Sequence, residues 1–365
     1  MFTRGLFGLF PHGRKPTRMT TTRSPRTGTY TDNDSRITPN DGAGGLNPAA
    51  MGTVFAVAAV LLIIFTFTDR AISDAVVDHG SVFGTFFQTY GEFPPYVLAA
   101  AALQVLAVCV WRSGLAAWLK ALGVVFLTWA GYLSILEWTE NEESYRRSWA
   151  ANRAAGTPIG VANNDESGDA TWAQFAPSVF TALVLLIIVA ALTWYVLGRL
   201  SDETVRALGV AAVVTLAVIW AGGEINSQMK NLWGRFRPYE VDAGEGPFTT
   251  WLHVNLPNGH RSFPSGHTQE GTTLAALAIL LRPLGGKPWK VVLWAGIAWG
   301  ALMGLSRVVV GAHWATDVTA SFMLTLGIIL VGVWLVPRLL TRFGAGEGAA
   351  APESESPVQG DARAV

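Results

Sequence analysis

The sequence predicts an all-α membrane protein, a bundle of about eight transmembrane helices. Half of its 365 residues are hydrophobic and only 14% are charged, whereas about 25% are charged in an ordinary soluble domain. Its apolar runs approach the roughly 20 residues that a helix needs to cross a hydrocarbon core of about 30 Å. The runs lack the alternation of polar and apolar residues that is typical of half-buried strands.

The apolar runs define a transmembrane domain over residues 49–340. They cover residues 52–68, 95–111, 115–136, 176–198, 205–229, 267–282, 289–305 and 315–337. Residues 1–48 and 341–365 are rich in small, polar and charged residues, so we expect disordered cytoplasmic tails there. The short apolar stretch at 5–10 is followed by a proline and is too short for the apolar core of a secretion signal, so we expect no cleaved signal peptide.

The charge balance and the single cysteine narrow the range of functions. Acidic and basic residues number 26 each, so no overall field points to nucleic acid as a partner. Cys109 is the only cysteine, which excludes an internal disulfide bond. The oligomeric state is not readable from these features.

Basic residues recur in alternate connections between the apolar runs. They are Arg112, Lys120, Arg199, Arg206, Arg282, Lys287, Lys290, Arg338 and Arg342. If every run crosses the membrane, these residues share one side with the basic N-terminal tail, and an excess of Lys and Arg marks cytoplasmic loops. We therefore expect the protein to lie in the cytoplasmic membrane, with both termini on the cytoplasmic side. The polar segment 138–175 is then an external loop, which either covers a site or acts as a spacer.

Ionisable residues gather in three short pieces at the ends of the later runs. These pieces are KNLWGRFRP at 230–238, PSGH at 264–267 and SRVVVGAHWATD at 306–317. A cation at mid-bilayer costs roughly 2.5–3.5 kcal/mol on insertion scales, so ionisable residues beside membrane segments require a partner or a function. The predicted topology places all three pieces on the external face, where they can meet.

The first piece presents two cations. Lys230 and Arg237 are seven residues apart and would share one face of a continuous helix, two turns apart. Pro238 would then end that helix, because the residue before a proline is driven out of helical geometry. By themselves, the two cations are better explained by side chains that extend to lipid headgroups than by phosphate binding.

The second piece predicts the start of a helix. Ser265 is a candidate cap, and Gly266 allows an anion to approach the free N–H groups of the first turn. His267 in that turn could give a proton to a leaving oxygen. A capping serine followed by a structural histidine is the alternative.

The third piece pairs an imidazole with a carboxylate. His313 and Asp317 are four residues apart, hence on one face if a helix begins there. A carboxylate bonded to one ring nitrogen sets the tautomer and makes the other nitrogen a stronger nucleophile or base. Arg307 adds a planar fork that suits phosphate oxygens. A buried structural pair is the alternative, and metal binding is disfavoured because the neighbouring groups are cations.

In combination, the three pieces resemble the type 2 phosphatidic acid phosphatase superfamily, whose signature is K-x6-R-P, P-S-G-H and S-R-x5-H-x3-D. Every signature position matches in order, with Lys230, Arg237, Pro238, Pro264, Ser265, Gly266, His267, Ser306, Arg307, His313 and Asp317. The resemblance covers residues 230–317 and implies a six-helix core. Since five runs precede the first piece, two N-terminal helices are expected to be additional.

The resemblance also implies roles for these residues. His313 attacks phosphorus to form a phosphohistidine, Asp317 orients His313, and His267 protonates the leaving oxygen and then activates water. The groups expected to hold the phosphoryl oxygens are Lys230, Arg237, Arg307, Ser265 and Gly266, while Pro238, Pro264 and Ser306 complete the motifs structurally. No metal and no other cofactor is implied.

The function implied is that of a membrane phosphatase acting on a lipid phosphate at the outer face of the membrane. Phosphatidic acid, phosphatidylglycerophosphate and a polyprenyl diphosphate are the candidate substrates, and the stretch 239–263 is expected to shape the choice. Three alternatives stay open: a phosphotransferase with the same phosphohistidine, an anion transporter, and a phosphatase for a soluble sugar phosphate.

Overall fold

The computed structural model describes residues 45–161 and 171–344, and within these ranges the backbone forms helices and no strand. The α-helices are α1 Pro48–Val76, α2 Val82–Tyr90, α3 Phe93–Arg112, α4 Ala117–Ala155, α5 Trp172–Leu197, α6 Asp202–Trp233, α7 Pro238–Asp242, α8 Gly266–Thr272, α9 Leu277–Leu281, α10 Pro288–Val309 and α11 Ala315–Gly344. The predicted tails lie largely outside the described residues, although α11 continues past residue 341.

Seven candidate membrane spans lie within the described ranges, long and apolar enough to cross a bilayer. They account for all the predicted runs except 267–282, which forms a broken helix. There α8, a 3-10 turn at Thr273–Ala276, α9 and a second 3-10 turn at Arg282–Leu284 follow one another directly. The predicted fold class is confirmed: the chain is a multi-pass helical membrane bundle.

Two glycines of α10 allow the broken helix to pack closely against it. A Cβ atom on Gly296 would lie 2.2 Å from the backbone nitrogen of Ala275, and one on Gly300 would lie 2.3 Å from the Thr272 hydroxyl oxygen. Small residues of this kind allow two helix backbones to approach closely inside a membrane bundle. The close contact sets the helix that carries the third piece directly against the helix that begins with the second.

The structure corrects the expected course of the first piece. Helix α6 ends at Trp233, before Pro238, because Gly234 adopts a left-handed conformation (φ +52°) and its N–H group bonds to the Lys230 carbonyl. Pro238 instead begins α7, a position where its missing N–H group costs nothing. Lys230 and Arg237 therefore do not share one helix face, and the chain turns between them.

The prediction of a loop over 138–175 is wrong for its first half. Helix α4 continues as far as Ala155 and contains 39 residues, which gives it a length of roughly 58 Å and carries it well beyond the hydrocarbon core. It ends at Gly156, another left-handed glycine (φ +71°). Residues 162–170 of the segment lie outside the described residues.

Helix ends of alternating direction place the three pieces at one end of the bundle. That end contains the C-termini of α1, α6 and α10 and the N-termini of α3, α8 and α11. The main hydrophobic core lies between α3, α6, the broken helix, α10 and α11. The basic connections cluster at the opposite end, where Arg112 bonds to the carbonyl groups of Leu197 and Leu200.

Candidate active site

The three pieces meet in the structure. The N–H group of Ser265 donates to the Asp317 carbonyl over 3.2 Å, and the Ser262 hydroxyl donates to Asp317 Oδ2 over 2.5 Å. Lys230 Nζ lies 3.4 Å from the position that a Cβ atom on Gly266 would occupy. The second piece therefore contacts both of the others, as the predicted topology requires.

His313 lies in the turn between α10 and α11 and is 1% exposed. Its Nδ1 atom is 3.6 Å from Asp317 Oδ2, which is longer than a hydrogen bond. That oxygen also accepts hydrogen bonds from Ser262 and from the Trp314 N–H group. The Asp317 carboxylate therefore lies beside the imidazole, on its Nδ1 side.

Burial decides the charge state of His313. It lowers the pKa of the imidazole well below the ordinary value, and the nearby charges of Arg237 and Lys230 act in the same direction. The nearby Asp317 carboxylate opposes this shift without reversing it. The ring is therefore neutral near pH 7, the form in which a ring nitrogen can act as a nucleophile.

An arginine outside the signature holds Asp317. Arg235 Nη1 lies 2.6 Å from Asp317 Oδ1, and Arg235 Nη2 lies 2.9 Å from Asp69 Oδ2. The guanidinium is fully buried, and both carboxylates are almost so. Sequence reasoning missed this residue because its partner Asp69 lies on α1, 166 positions earlier.

Asp69 also ties α1 to the start of α11. Its Oδ1 atom accepts the Thr316 N–H group over 2.9 Å, and its Oδ2 atom accepts the Thr316 hydroxyl. Helix α1 precedes the predicted core, and its role was not readable from the sequence. The structure shows that it contributes a buried carboxylate to the surroundings of Asp317.

His267 lies in the first turn of α8, as predicted, and has partners that the sequence did not indicate. Its Nε2 atom is 2.6 Å from Glu92 Oε1 and 3.0 Å from the Tyr145 hydroxyl. Glu92 lies at the junction of α2 and α3, and Tyr145 lies on the part of α4 that was predicted to be a loop. No spacing in the sequence links these three residues, since they are far apart in the chain.

Arg307 is buried near the C-terminus of α10. Its Nη2 atom donates to the Gly84 carbonyl over 2.6 Å, and its Nε atom donates to the Ser306 hydroxyl over 3.3 Å. The Ser306 hydroxyl in turn donates to the Met303 carbonyl. These bonds fix the direction of the guanidinium and explain why a serine precedes the arginine.

The charges of Lys230 and Arg237 influence both imidazoles, although the two residues belong to different elements of the fold. Lys230 Nζ donates to the Arg261 carbonyl over 3.3 Å, and Arg237 precedes α7 in an extended conformation. The charges of both residues act on His267 as well as on His313. The two cations of the first piece thus lie near enough to both imidazoles to influence their charge.

The helix start at PSGH has the geometry of an anion site. Ser265 follows the buried Pro264 and accepts hydrogen bonds from the Thr268 N–H group and hydroxyl, so its own proton can be donated to a ligand. The N–H groups of Gly266 and His267 begin α8 and have no carbonyl of that helix to bond. Together with the helix dipole, they favour an anion.

One group of side chains in the described ranges has the spacing to hold a metal ion: Glu240, Glu245 and His260, with ligand atoms within 4.8 Å of one another. Glu240 Oε2 already accepts the Arg237 N–H group over 2.6 Å and lies 3.3 Å from His260 Nδ1. These contacts give the group a structural role beside Arg237.

Comparison with known proteins connects this site to a family. Residues 205–340 match the family model of the PAP2 superfamily, and this range contains all three pieces. The resemblance seen in the motifs is therefore confirmed: this region of the membrane bundle is similar to the PAP2 superfamily. Comparison with solved structures finds no significant match.

Three curated relatives have related sequences. An undecaprenyl-diphosphatase from Sulfolobus acidocaldarius is 30% identical over 33% of this chain and 50% of its own length. An acid phosphatase from Zymomonas mobilis is 36% identical over 27% of this chain and 34% of its own length. A phosphatidylglycerophosphatase B from Haemophilus influenzae is 25% identical over 49% of this chain and 78% of its own length. The chain thus spans half or less of the first two relatives.

We predict that Arg235→Leu destabilises the protein. Removing one member of a buried ion pair leaves its partners uncompensated and typically costs about 3–5 kcal/mol. Thermal unfolding in detergent should show an apparent Tm several degrees below that of the wild type. Arg206→Leu, at an exposed position of α6, is the matched control and should unfold like the wild type. An Arg235→Leu variant as stable as this control would contradict the structural role of Arg235.

Proposed function

We propose that this protein is a membrane phosphatase that hydrolyses the phosphomonoester or diphosphate headgroup of a lipid through a phosphohistidine on His313. The observation that supports this most strongly is the meeting of the three pieces at one end of the bundle. A buried neutral imidazole lies there beside a carboxylate, and the charges of Lys230 and Arg237 act on both imidazoles. The relatives are phosphatases by name, and two are named for lipid substrates.

The proposed reaction has two steps. His313 attacks phosphorus with Nε2, because Nδ1 faces Asp317, and the bond from phosphorus to the leaving oxygen breaks as His267 gives that oxygen a proton. In the second step His267 removes a proton from water, the resulting hydroxide attacks phosphorus, and the P–N bond breaks to release inorganic phosphate. Positioning and charge stabilisation dominate phosphoryl transfer, so cations and N–H groups around the phosphoryl oxygens suit this chemistry without a metal.

An apolar groove supports a lipid substrate rather than a soluble one. It has a volume of about 630 Å³, lies between α1, α10 and α11, and is lined along α1 from Thr53 to Val76. One of its lining residues, Thr268, donates to the Ser265 hydroxyl over 2.9 Å. A hydrocarbon chain in this groove would place its phosphate headgroup toward the PSGH helix start.

The proposed site faces the outside of the cell. The basic connections lie at the opposite end of the bundle, and an excess of Lys and Arg marks the cytoplasmic side. Intact spheroplasts that carry the protein should therefore release phosphate from a membrane-impermeant short-chain lipid phosphate added outside. Spheroplasts with His313→Ala are the control. Activity that emerges only after lysis would place the site on the other side.

We predict that His313→Ala abolishes phosphate release from lipid phosphates, because the variant lacks the nucleophile. Purified wild-type protein in detergent should release inorganic phosphate, retain this activity in EDTA and lose it with vanadate. Acid-labile, base-stable phosphate should be trapped on the wild type after a rapid quench. Arg206→Leu, at an exposed position near the start of α6 and away from the three pieces, is the control and should stay active.

Each other outcome indicates an alternative. Strict dependence on a divalent ion would contradict the metal-independent reaction. Phosphate that appears on a second lipid or a sugar, with little free phosphate, would indicate a phosphotransferase. No turnover together with anion uptake that survives His313→Ala would indicate a transporter.

We predict that Ala301→Phe impairs turnover of long-chain lipid phosphates, because Ala301 lines the groove and a phenyl ring would fill it. The KM for a long-chain substrate should rise, whereas kcat/KM for a short-chain phosphate should stay near the wild-type value. Leu302→Phe, on the same helix and exposed outside the groove, is the control. An equal effect on both chain lengths would contradict binding of the tail in this groove.

A further inference from the structure

The carboxylate of Glu92 is held by three donors at the edge of the proposed site. His267 Nε2 lies 2.6 Å from Glu92 Oε1, and the side chains of Tyr145 and Glu270 also form hydrogen bonds with Glu92. Glu92 itself is 4% exposed. A buried carboxyl group with this many partners is fixed in place, and each hydrogen bond that it accepts favours its ionised form against the cost of burial.

The charges around His267 show what Glu92 contributes. Burial lowers the pKa of the His267 imidazole well below its ordinary value, and the charges of Arg307, Lys230 and Arg237 act in the same direction. A general acid must nevertheless hold a proton before it can give one to a leaving oxygen. Glu92 Oε1 is in direct contact with the ring, so an ionised Glu92 would favour the protonated form against burial and these cations.

A second carboxyl group keeps the negative charge on Glu92. Glu270 lies one turn after His267 on α8, bonds to Glu92, and accepts the Tyr96 hydroxyl over 3.3 Å at Oε1. Two carboxyl groups in contact do not both ionise, because like charges disfavour the second ionisation. Because His267 and Tyr145 both contact Glu92 and favour its ionised form, we assign the shared proton to Glu270, which donates it toward Glu92.

We propose that Glu92 is the positioning residue of the acid step, accepting the Nε2–H of His267 so that the Nδ1–H is directed to the leaving oxygen. This inference rests on the proposed phosphatase function. As the P–O bond breaks and the bond from phosphorus to His313 forms, the Nδ1 proton passes to the leaving oxygen. Water returns a proton to Nδ1 in the second step, and Glu92 stays ionised throughout.

Glu92 lies outside residues 205–340, the range that matches the family model. It reaches the site from the junction of α2 and α3, and Tyr145 reaches it from α4. The helices that precede the matched region thus provide His267 with the kind of carboxylate partner that Asp317 provides for His313 within the third piece.

The test compares Glu92→Gln with the wild type on two substrates. A lipid phosphate has an alkoxide leaving group that needs a proton, whereas p-nitrophenyl phosphate releases a stable phenolate that does not. The quantity to measure is kcat/KM, because it reports only the steps up to and including release of the leaving group. We expect Glu92→Gln to lower it for the lipid phosphate by at least ~10²-fold, the lower range of general acid catalysis, and to leave the aryl phosphate value nearly unchanged.

Controls distinguish failure of this inference from failure of the proposed phosphatase function. Glu203→Gln, exposed at the start of α6, should behave like the wild type on both substrates. If Glu92→Gln does not fold, Glu92→Asp lengthens the contact with His267 and should show the same selective loss. Equal losses of activity on both substrates, or no loss on either, would overturn the role of Glu92. The proposed phosphatase function would still stand in that case, because the wild type is active. A wild type inactive on both substrates would overturn both proposals.

Discussion

The site depends on one buried guanidinium. Arg235 is fully buried, and burying a charge is costly unless its hydrogen-bonding groups are satisfied. Its three nitrogen atoms donate to the Asp69 and Asp317 carboxylates, to the Thr316 hydroxyl and to the Thr249 carbonyl. This network joins α1, the connection after α6 and the start of α11. It also holds Asp317 by Oδ1, which leaves Oδ2 directed at His313.

The other cations contrast with Arg235. Within residues 45–161 and 171–344, none of Lys230, Arg237 and Arg307 has a carboxylate oxygen within 4 Å, and two of them bond to backbone carbonyls instead. A carbonyl orients a cation without neutralising it, so a phosphate can still act as the counter-ion. Pairing with carboxylates thus gives Arg235 a structural role, whereas the lack of such pairing leaves the other three cations available to a ligand.

Each imidazole is accompanied by a carboxylate, and the two carboxylates suit different roles. Asp317 faces a ring that burial keeps neutral, as a nucleophile requires. Glu92 contacts the ring of His267, the proposed acid, whose protonated form is disfavoured by burial and by three cations. The helices before the matched region provide Asp69, Glu92 and Tyr145, so they complete the site as well as extending the bundle.

The sequence by itself determined the fold class, the membrane runs and the motif spacings, because hydropathy and short-range spacing are local properties of the chain. It also indicated that three pieces would meet. Tertiary structure decided what those pieces contact. Arg235 and Arg237 are two positions apart in one motif, yet only Arg235 lies between two carboxylates. The sequence could not reveal this difference, because Asp69 lies 166 residues away from Arg235. The same separation hid Glu92 from His267, since only folding brings such distant residues within hydrogen-bonding distance.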